Sequence, residues 1–389
     1  MTRKYANALL CAMVGVCCAA MASPPANAAG ATKTGGFAPT VDLGGAYLGL
    51  FNTISQENAT DTDGKRLQFD YAANLDFSIQ FDRNVSGFVQ LQGGPGGGSL
   101  GLAGPDVVVT DVYATYKFSD YPLAISFGSY DTPFSYEIKF QNNNGAAMAH
   151  PLILNSLFFT GFSGGQITTL NTLGLKAEYT PKLFDLTGAI TNGTSQTANN
   201  SDGNLEFIVG GGIRPVEDED LRIGAAYMNS DDREQSGFTG KMAEFQAYLV
   251  EGHFVSDQGL SVRAFVGQMI YGDNNDATED KVTCLTAELA YEVGAWQLAG
   301  RFSTWTPEDR DGSGTGISPL MPNPGLAITQ SGQPVYRDQQ VNRFQLGAGY
   351  RLFENMMVKG EFFFDDYSKS SNGMSTDVDG LIIALTGGF

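Results

Sequence analysis

Residues 66–81 read RLQFDYAANLDFSIQF, and this stretch decides the fold. Its odd positions, from Leu67 to Phe81, are apolar or aromatic, and its even positions are polar or charged apart from Ala72. A period of two over this length predicts a β-strand with one apolar and one polar face. The strand is longer than the roughly 5–6 residues usual in globular proteins, and it exceeds the roughly 9–11 that a tilted strand needs to cross a bilayer. We therefore expect a membrane-spanning strand.

The same alternation recurs and predicts sixteen strands. They span residues 41–51, 66–81, 85–93, 107–118, 122–131, 170–179, 183–191, 204–214, 220–229, 241–253, 259–271, 281–292, 295–305, 340–351, 356–367 and 379–389. The predicted connections alternate between seven short turns and eight long loops. An even number of strands with this alternation is typical of bacterial outer-membrane barrels. The predicted fold is all-β, a 16-stranded antiparallel transmembrane β-barrel with short periplasmic turns and long external loops.

Aromatic side chains cluster near the predicted short turns. They are Phe81, Phe118, Tyr179, Phe184, Phe254, Tyr291, Trp296, Tyr350 and Phe353. Aromatic rings are stable at the headgroup level of a membrane, so this clustering predicts an aromatic girdle on the periplasmic side. Packing within a soluble core would not concentrate aromatics beside one class of turn.

The composition excludes several classes of protein. The chain has 389 residues, of which 11% are aromatic, and this content argues against disorder. Its 23 basic residues stand against 42 acidic ones, a balance that does not suit a protein binding nucleic-acid phosphates. Beyond the N-terminal segment, the chain has no run of about 18 apolar residues that would form a membrane-spanning helix.

Residues 1–28 read as a cleaved export signal. Arg3 and Lys4 precede an apolar stretch, and Ala26-Asn27-Ala28 forms a small-residue cleavage site. Cleavage would leave residues 29–389 as the barrel, with a net charge of −21 and Cys284 as the single cysteine. One cysteine and two histidines do not favour a structural zinc site, and we expect neither a metal nor a cofactor.

The segment 111–137, DVYATYKFSDYPLAISFGSYDTPFSYE, resembles a strand–turn–strand of Gram-negative outer-membrane porins in the phosphate-selective porin O and P superfamily. The resemblance lies in its ending, Gly128-Ser129-Tyr130-Asp131-Thr132-Pro133-Phe134, and a final amphipathic strand ending in Phe389 extends it to porins in general. It implies a homotrimer of sixteen-stranded barrels, integral to the outer membrane. Phosphate-selective members line the pore with arginine and lysine ladders, and this chain has far more acidic than basic residues, so phosphate selectivity is not carried over.

The resemblance also implies that the third external loop, residues 132–169, folds into the barrel and constricts the pore. The candidate constriction residues are Asp131 at the root of the loop, followed by Glu137, Lys139 and His150. The alternative is a loop packed outside the barrel or against a neighbour in the trimer, which the apolar stretch 152–159 would suit.

The polar strand faces carry charges of both signs, which we assign to the pore wall. Arg222, Arg263, Arg301 and Arg343 form a candidate basic wall, and the acidic candidates are Asp70, Asp76, Asp111 and Glu361. Opposed charges across a narrow pore orient polar solutes and bias which ions pass. The alternative is that these charges pair with neighbours across the strands.

We therefore expect a water-filled channel for passive diffusion of small hydrophilic solutes and ions, either weakly cation-preferring or non-selective. The expected partners are outer-membrane lipid, two further copies of the chain and small solutes, with no nucleic acid and no catalytic residues. One alternative is a solute-selective or anion-selective porin of the phosphate type. The alternative from another class is an outer-membrane hydrolase, which would need a lipid-facing Ser–His pair.

Overall fold

The computed structural model describes sixteen strands and most of the short turns between them. The described residues are 39–56, 65–93, 108–135, 150–153, 156, 171–192, 205–216, 220–233, 242–273, 279–308, 340–367 and 377–388. The segment 1–28 and Phe389 lie outside these ranges, so the signal peptide stays a prediction. Within the described ranges, the chain has no helix long and apolar enough to cross a membrane.

The sixteen strands form one closed antiparallel barrel. They are β1 (Thr40–Gln56), β2 (Lys65–Gln80), β3 (Val85–Gly93), β4 (Val108–Lys117), β5 (Leu123–Asp131), β6 (Asn171–Tyr179), β7 (Phe184–Thr191), β8 (Glu206–Ile213), β9 (Asp220–Arg233), β10 (Met242–Val255), β11 (Leu260–Asp273), β12 (Glu279–Val293), β13 (Trp296–Glu308), β14 (Val341–Phe353), β15 (Met356–Tyr367) and β16 (Val378–Gly388). Each strand pairs with the strands before and after it, and β1 pairs with β16. The predicted fold is confirmed.

Several strands continue beyond their predicted ends on the side of the long loops. β1 runs to Gln56, β9 to Arg233 and β13 to Glu308, whereas the sequence pattern ended at residues 51, 229 and 305. The sequences of these extensions are mostly polar, NTISQ in β1, SDDR in β9 and TPE in β13. Backbone pairing continues outside the apolar layer, where hydropathy no longer alternates, and the sequence pattern therefore stops too early.

The register assigns each strand an inner and an outer face. On β14, Phe344 and Leu346 are exposed on the outer face, and Leu346 reaches 66% exposure. Arg343 and Gln345 alternate with them and are 1% exposed on the inner face. A barrel that crosses a bilayer alternates in this way, with apolar side chains toward lipid.

Aromatic rings lie exposed at the ends of strands near the short turns. Trp296 and Tyr350 are 52% and 40% exposed, and their ring centroids are 4.8 Å apart. The turn between β12 and β13 is closed by Gly294 at φ 61°, a conformation that glycine adopts without steric cost. These positions match the girdle that the sequence predicts.

Candidate functional site

The inner face brings arginines and carboxylates of adjacent strands together. Arg301 on β13 lies opposite Glu288 on β12, and its Nη2 is 2.6 Å from Glu288 Oε2. Arg263 on β11 approaches the same carboxylate, with Nη1 3.8 Å from Oε1. Glu288 therefore holds two arginines from the strands on either side of its own.

Arg222 lies flat against the wall. Its Nε and Nη2 donate to Asp185 on β7 at 2.9 and 2.8 Å, and Nη1 donates to Glu251 on β10 at 2.7 Å. A Cβ on Gly212 or Gly224 would lie 2.6 Å from the guanidinium group. Because neither glycine has a side chain, the Arg222 side chain has room to reach Asp185 on β7 and Glu251 on β10.

Arg343 and Asp365 form the most deeply buried pair among the described residues. Arg343 Nε and Nη2 each donate to one Asp365 oxygen at 2.7 Å, and the side chains are 1% and 0% exposed. A bidentate contact of this kind fixes both position and orientation.

The four predicted arginines thus each lie against a carboxylate of a neighbouring strand. The sequence pattern allowed two alternatives for these arginines, a basic pore wall or pairing across the strands. The contacts observed here are those of cross-strand pairing. Sequence reasoning missed Glu251 and the two glycines under Arg222. A glycine has no functional group, and the spacing of Gly212 and Gly224 does not predict that both would contact the Arg222 side chain. The role of the four arginines in the pore remains a prediction.

The predicted acidic residues belong to β2, β4 and β15. Asp76 accepts hydrogen bonds from the amides of Asn74 and Gln90, both at 2.9 Å. Asp111 on β4 lies directly across from Gln90 on β3 and is 6% exposed. The backbone of Asp70 belongs to β2, but its side chain lies outside the described part of the chain.

Residues 150–153, in the middle of the third external loop, lie inside the barrel. His150 Nε2 is 2.7 Å from Glu288 Oε1, and the backbone N–H of Ile153 donates to Glu361 Oε2. A Cβ on Gly347 of β14 would lie 2.7 Å from Leu152 Cδ2. Residues 150–153, which we call the docked segment, therefore contact three strands of the inner wall.

The start of the same loop also lies within the barrel. Phe134 is 1% exposed and belongs to the apolar cluster that includes Met228, Trp305 and Phe363. Asp131 ends β5 and pairs with Asn171. Glu137 and Lys139 lie outside the described residues, so their place near a constriction stays a prediction.

The inner face is less polar than the sequence analysis assumed. Met228, Trp305 and Phe363 are each 0% exposed, and they alternate in step with the charged inner residues. The inner face therefore carries apolar positions beside the predicted charged ones. Apolar loop residues such as Phe134 and Ile153 pack against this wall, and an inner face needs to be polar only where it meets water.

Comparison with known proteins identifies the family. Residues 10–370 match a family model described as "Gram-negative porin". The chain belongs to the Gram-negative porins. The porin is an integral outer-membrane channel protein, and the sequence-based prediction of family and location is confirmed. Family membership indicates a channel rather than an enzyme. No curated protein sequence matches the chain.

Solved structures share the fold at low sequence identity. The outer-membrane channel DcaP of Acinetobacter baumannii aligns with a TM-score of 0.61 and 13% identity, over 92% of this chain and 99% of that one. An anion-selective porin from Comamonas acidovorans aligns at 0.60 and 9%, over 90% and 100%. OmpT of Vibrio cholerae, in its trimer form, aligns at 0.56 and 13%, over 90% and 99%.

The docked segment of the porin contains a titratable contact. Burial lowers the pKa of His150 below its ordinary 6.5, and the nearby Arg301 and Arg263 lower it further, against the opposing effect of Glu288. A lowered pKa in the docked state means that protonation favours release of the segment. The contribution of His150 to docking is complete above pH 6.5 and is lost as the pH falls through the lowered value.

We predict that acidification loosens the docked segment. Below about pH 6.5, the unperturbed histidine value, single-channel recordings should show more frequent current fluctuations. His150→Gln retains a side chain that donates to Glu288 but does not titrate, so its fluctuations should not rise in this pH range. Equal pH dependence in both proteins would assign the effect to another group.

We also predict that Gly347→Val displaces the docked segment. The added side chain would overlap Leu152 and the Pro151 carbonyl, and overpacking of this kind costs about 1–3 kcal/mol. The undocked population should rise by about tenfold or more, seen as a second conductance level. Gly360→Val is a matched control, because nothing lies within 4 Å of a Cβ at that position. A Gly347→Val channel with one unchanged level would contradict the prediction.

Proposed function

We propose that this porin is a passive diffusion channel for small hydrophilic solutes and ions, with weak cation preference or none. The observation that supports it best is the docked segment, which lies inside a closed sixteen-stranded barrel and bonds to Glu288 and Glu361. Sixteen strands enclose more space than wall side chains fill, so a water-filled path past a narrowing loop is the expected arrangement.

The third external loop, residues 132–169, forms the constriction in this proposal. Two described parts of the loop contact the inner face, Phe134 near its start and residues 150–153 near its middle. Asp131, Glu137, Lys139 and His150 would then be the loop residues that solutes pass. The pore wall would be formed by the four arginines and by Asp70, Asp76, Asp111 and Glu361, of which Arg263, Arg301 and Glu361 lie beside the docked segment.

Weak cation preference is the selectivity that the charges favour. Arg222, Arg301 and Arg343 bond to carboxylates at 2.6–2.9 Å, and such pairing weakens their attraction for a passing anion. The chain carries 42 acidic against 23 basic residues, and a net negative channel concentrates cations. We further propose that the porin is a homotrimer in outer-membrane lipid, as its family membership and the trimer form of OmpT suggest.

Planar-bilayer conductance under a salt gradient tests this proposal. We expect current steps in groups of three and a reversal potential that is near zero or of cation sign. A reversal potential of anion sign, with current blocked by phosphate, would overturn the proposed selectivity and favour a phosphate-type porin. Absence of conductance from a folded sample, judged by a mobility on a denaturing gel that changes on heating, would overturn the channel itself.

A further inference from the structure

Three aromatic rings form a stripe on the inner face. Phe88 on β3 and Tyr113 on β4 are direct register partners, with ring centroids 5.4 Å apart. Tyr130 on β5 continues the stripe, 6.5 Å from Tyr113 in an edge-to-face arrangement. Phe88 and Tyr113 are half-buried, so part of their surface is accessible from inside the barrel.

The register partner of Tyr113 across the β4–β5 ladder has no side chain that could cover the Tyr113 ring. That partner is Gly128, which adopts φ 136°, and a Cβ there would lie 2.9 Å from the Tyr113 Cβ. Only glycine adopts this backbone conformation without strain. Of the described residues on β5, Tyr130 rather than residue 128 therefore contacts the Tyr113 ring.

Carboxylates lie on the same inner face as the stripe. Asp111 is two residues from Tyr113 on β4, and its register partner Gln90 donates to Asp76 on β2. Glu178 lies on the inner face of β6. Lys176 on β6 brings one ammonium group to the same cluster, with Nζ 3.0 Å from Glu178 Oε2 and 5.1 Å from the centre of the Tyr130 ring. The chain itself thus shows how an alkyl ammonium is held here, between a carboxylate and an aromatic face.

Two buried hydroxyl groups beside the stripe have no hydrogen-bond partner among the described residues. They are Tyr130 Oη and Thr172 Oγ1, and both side chains are 1% exposed. The two residues are direct register partners on β5 and β6. A buried hydroxyl group without a partner is costly, and a bound group that donates or accepts hydrogen bonds would remove this cost.

We propose that the inner face of β2–β6 binds organic cations, namely small molecules with an ammonium group on an apolar stem. This inference rests on the proposed channel function and names its preferred solute class. The ammonium group would contact the carboxylates around Tyr113, and the stem would lie along the aromatic stripe.

The chemistry separates this class from other solutes. Aromatic faces attract weakly hydrated organic cations, whereas metal ions such as Ca²⁺ require a cage of oxygen ligands. Within the described residues, no group of three or more acidic, histidine or cysteine side chains is placed to hold a metal ion. A neutral sugar would stack on the rings but would gain no charge interaction from Asp76, Asp111 and Glu178.

Block of the potassium current by cadaverine tests the proposal. We expect concentration-dependent block of the whole trimer in planar bilayers, with weaker effects of sucrose and glutarate at equal concentration. Combining Asp111→Asn with Tyr113→Leu should weaken block by about tenfold or more, since it removes a carboxylate and a cation–π face. Tyr113→Phe should retain block, because its ring remains.

Asp257→Asn is the matched control. It removes the same charge from an exposed position in the short turn between β10 and β11, far from β2–β6, and block should not change. Conductance without cadaverine block, or block that is equal in all variants, would overturn the site and leave the channel function intact. Stronger block by sucrose that requires Tyr113 would overturn it in favour of a saccharide site.

Calorimetry of cadaverine with the detergent-solubilised porin tests the site independently of conductance. Binding heat that is lost in Tyr113→Leu but kept in Tyr113→Phe supports the site even if the folded protein does not conduct. Absence of binding heat in the unmodified porin overturns it. Failure of the channel and failure of the site are therefore distinguishable.

Discussion

Asp365→Ala is expected to lower the free energy of unfolding of the porin by about 3–5 kcal/mol. Arg343 and Asp365 share two hydrogen bonds of 2.7 Å and are almost completely buried. Removing the carboxylate takes from the buried guanidinium the two bonds that Asp365 accepts, so the contribution of Asp365 to offsetting its desolvation is lost. Equilibrium unfolding in urea, followed by tryptophan fluorescence of the porin in lipid vesicles, measures the change.

Two further variants test the cause of this loss. Combining Asp365→Ala with Arg343→Met removes both charges, so the double variant should be markedly more stable than Asp365→Ala alone. Glu292→Ala breaks the exposed Arg351–Glu292 pair, whose side chains are 41% and 44% exposed, and it should cost only about 0.2–1 kcal/mol. If Asp365→Ala cost no more than Glu292→Ala, burial would not explain the contribution of the pair.

Leu346→Arg is expected to lower the free energy of unfolding in a bilayer by about 2–4 kcal/mol. Leu346 is 66% exposed on the outer face of β14, midway between Asn342 and the girdle residue Tyr350. An arginine there would face the centre of the apolar layer, where its charge is poorly solvated. The same urea experiment in vesicles measures the loss.

Phe353→Arg provides the matched comparison. Phe353 is also 66% exposed, but it lies at the end of β14 beside the short turn. A charge near the membrane interface costs only about 0–1 kcal/mol, because it reaches water and headgroups. Equal losses for the two arginines would show that the outer face of β14 does not cross the bilayer as described.

The strands could be predicted because their signal is local. In residues 66–81, neighbouring side chains face opposite sides, and the membrane requires one side to be apolar. The strand β3 follows its predicted bounds at both ends, and β15 does so as well. The ends of β9 and β13 could not be predicted in this way, since their external portions are no longer in contact with lipid.

The contacts of the docked segment had no comparable signal. His150 and Glu288 are 138 positions apart, and no periodicity links a loop residue to one particular carboxylate. The sequence marked His150 only through the family resemblance. Similarly, Trp305 alternates onto the same face as Arg301. No local pattern indicated that this apolar ring would be buried inside the barrel.

The sequence alone therefore determined the number of strands, their closure into an outer-membrane barrel and the face on which each side chain lies. These properties follow from a period of two and from the contrast between lipid and water, both of which act on every strand separately. Only the tertiary structure decided which inner charges pair, where residues 150–153 dock and how the aromatic stripe meets its carboxylates. Those contacts depend on register and barrel closure, which bring together residues that no local pattern connects.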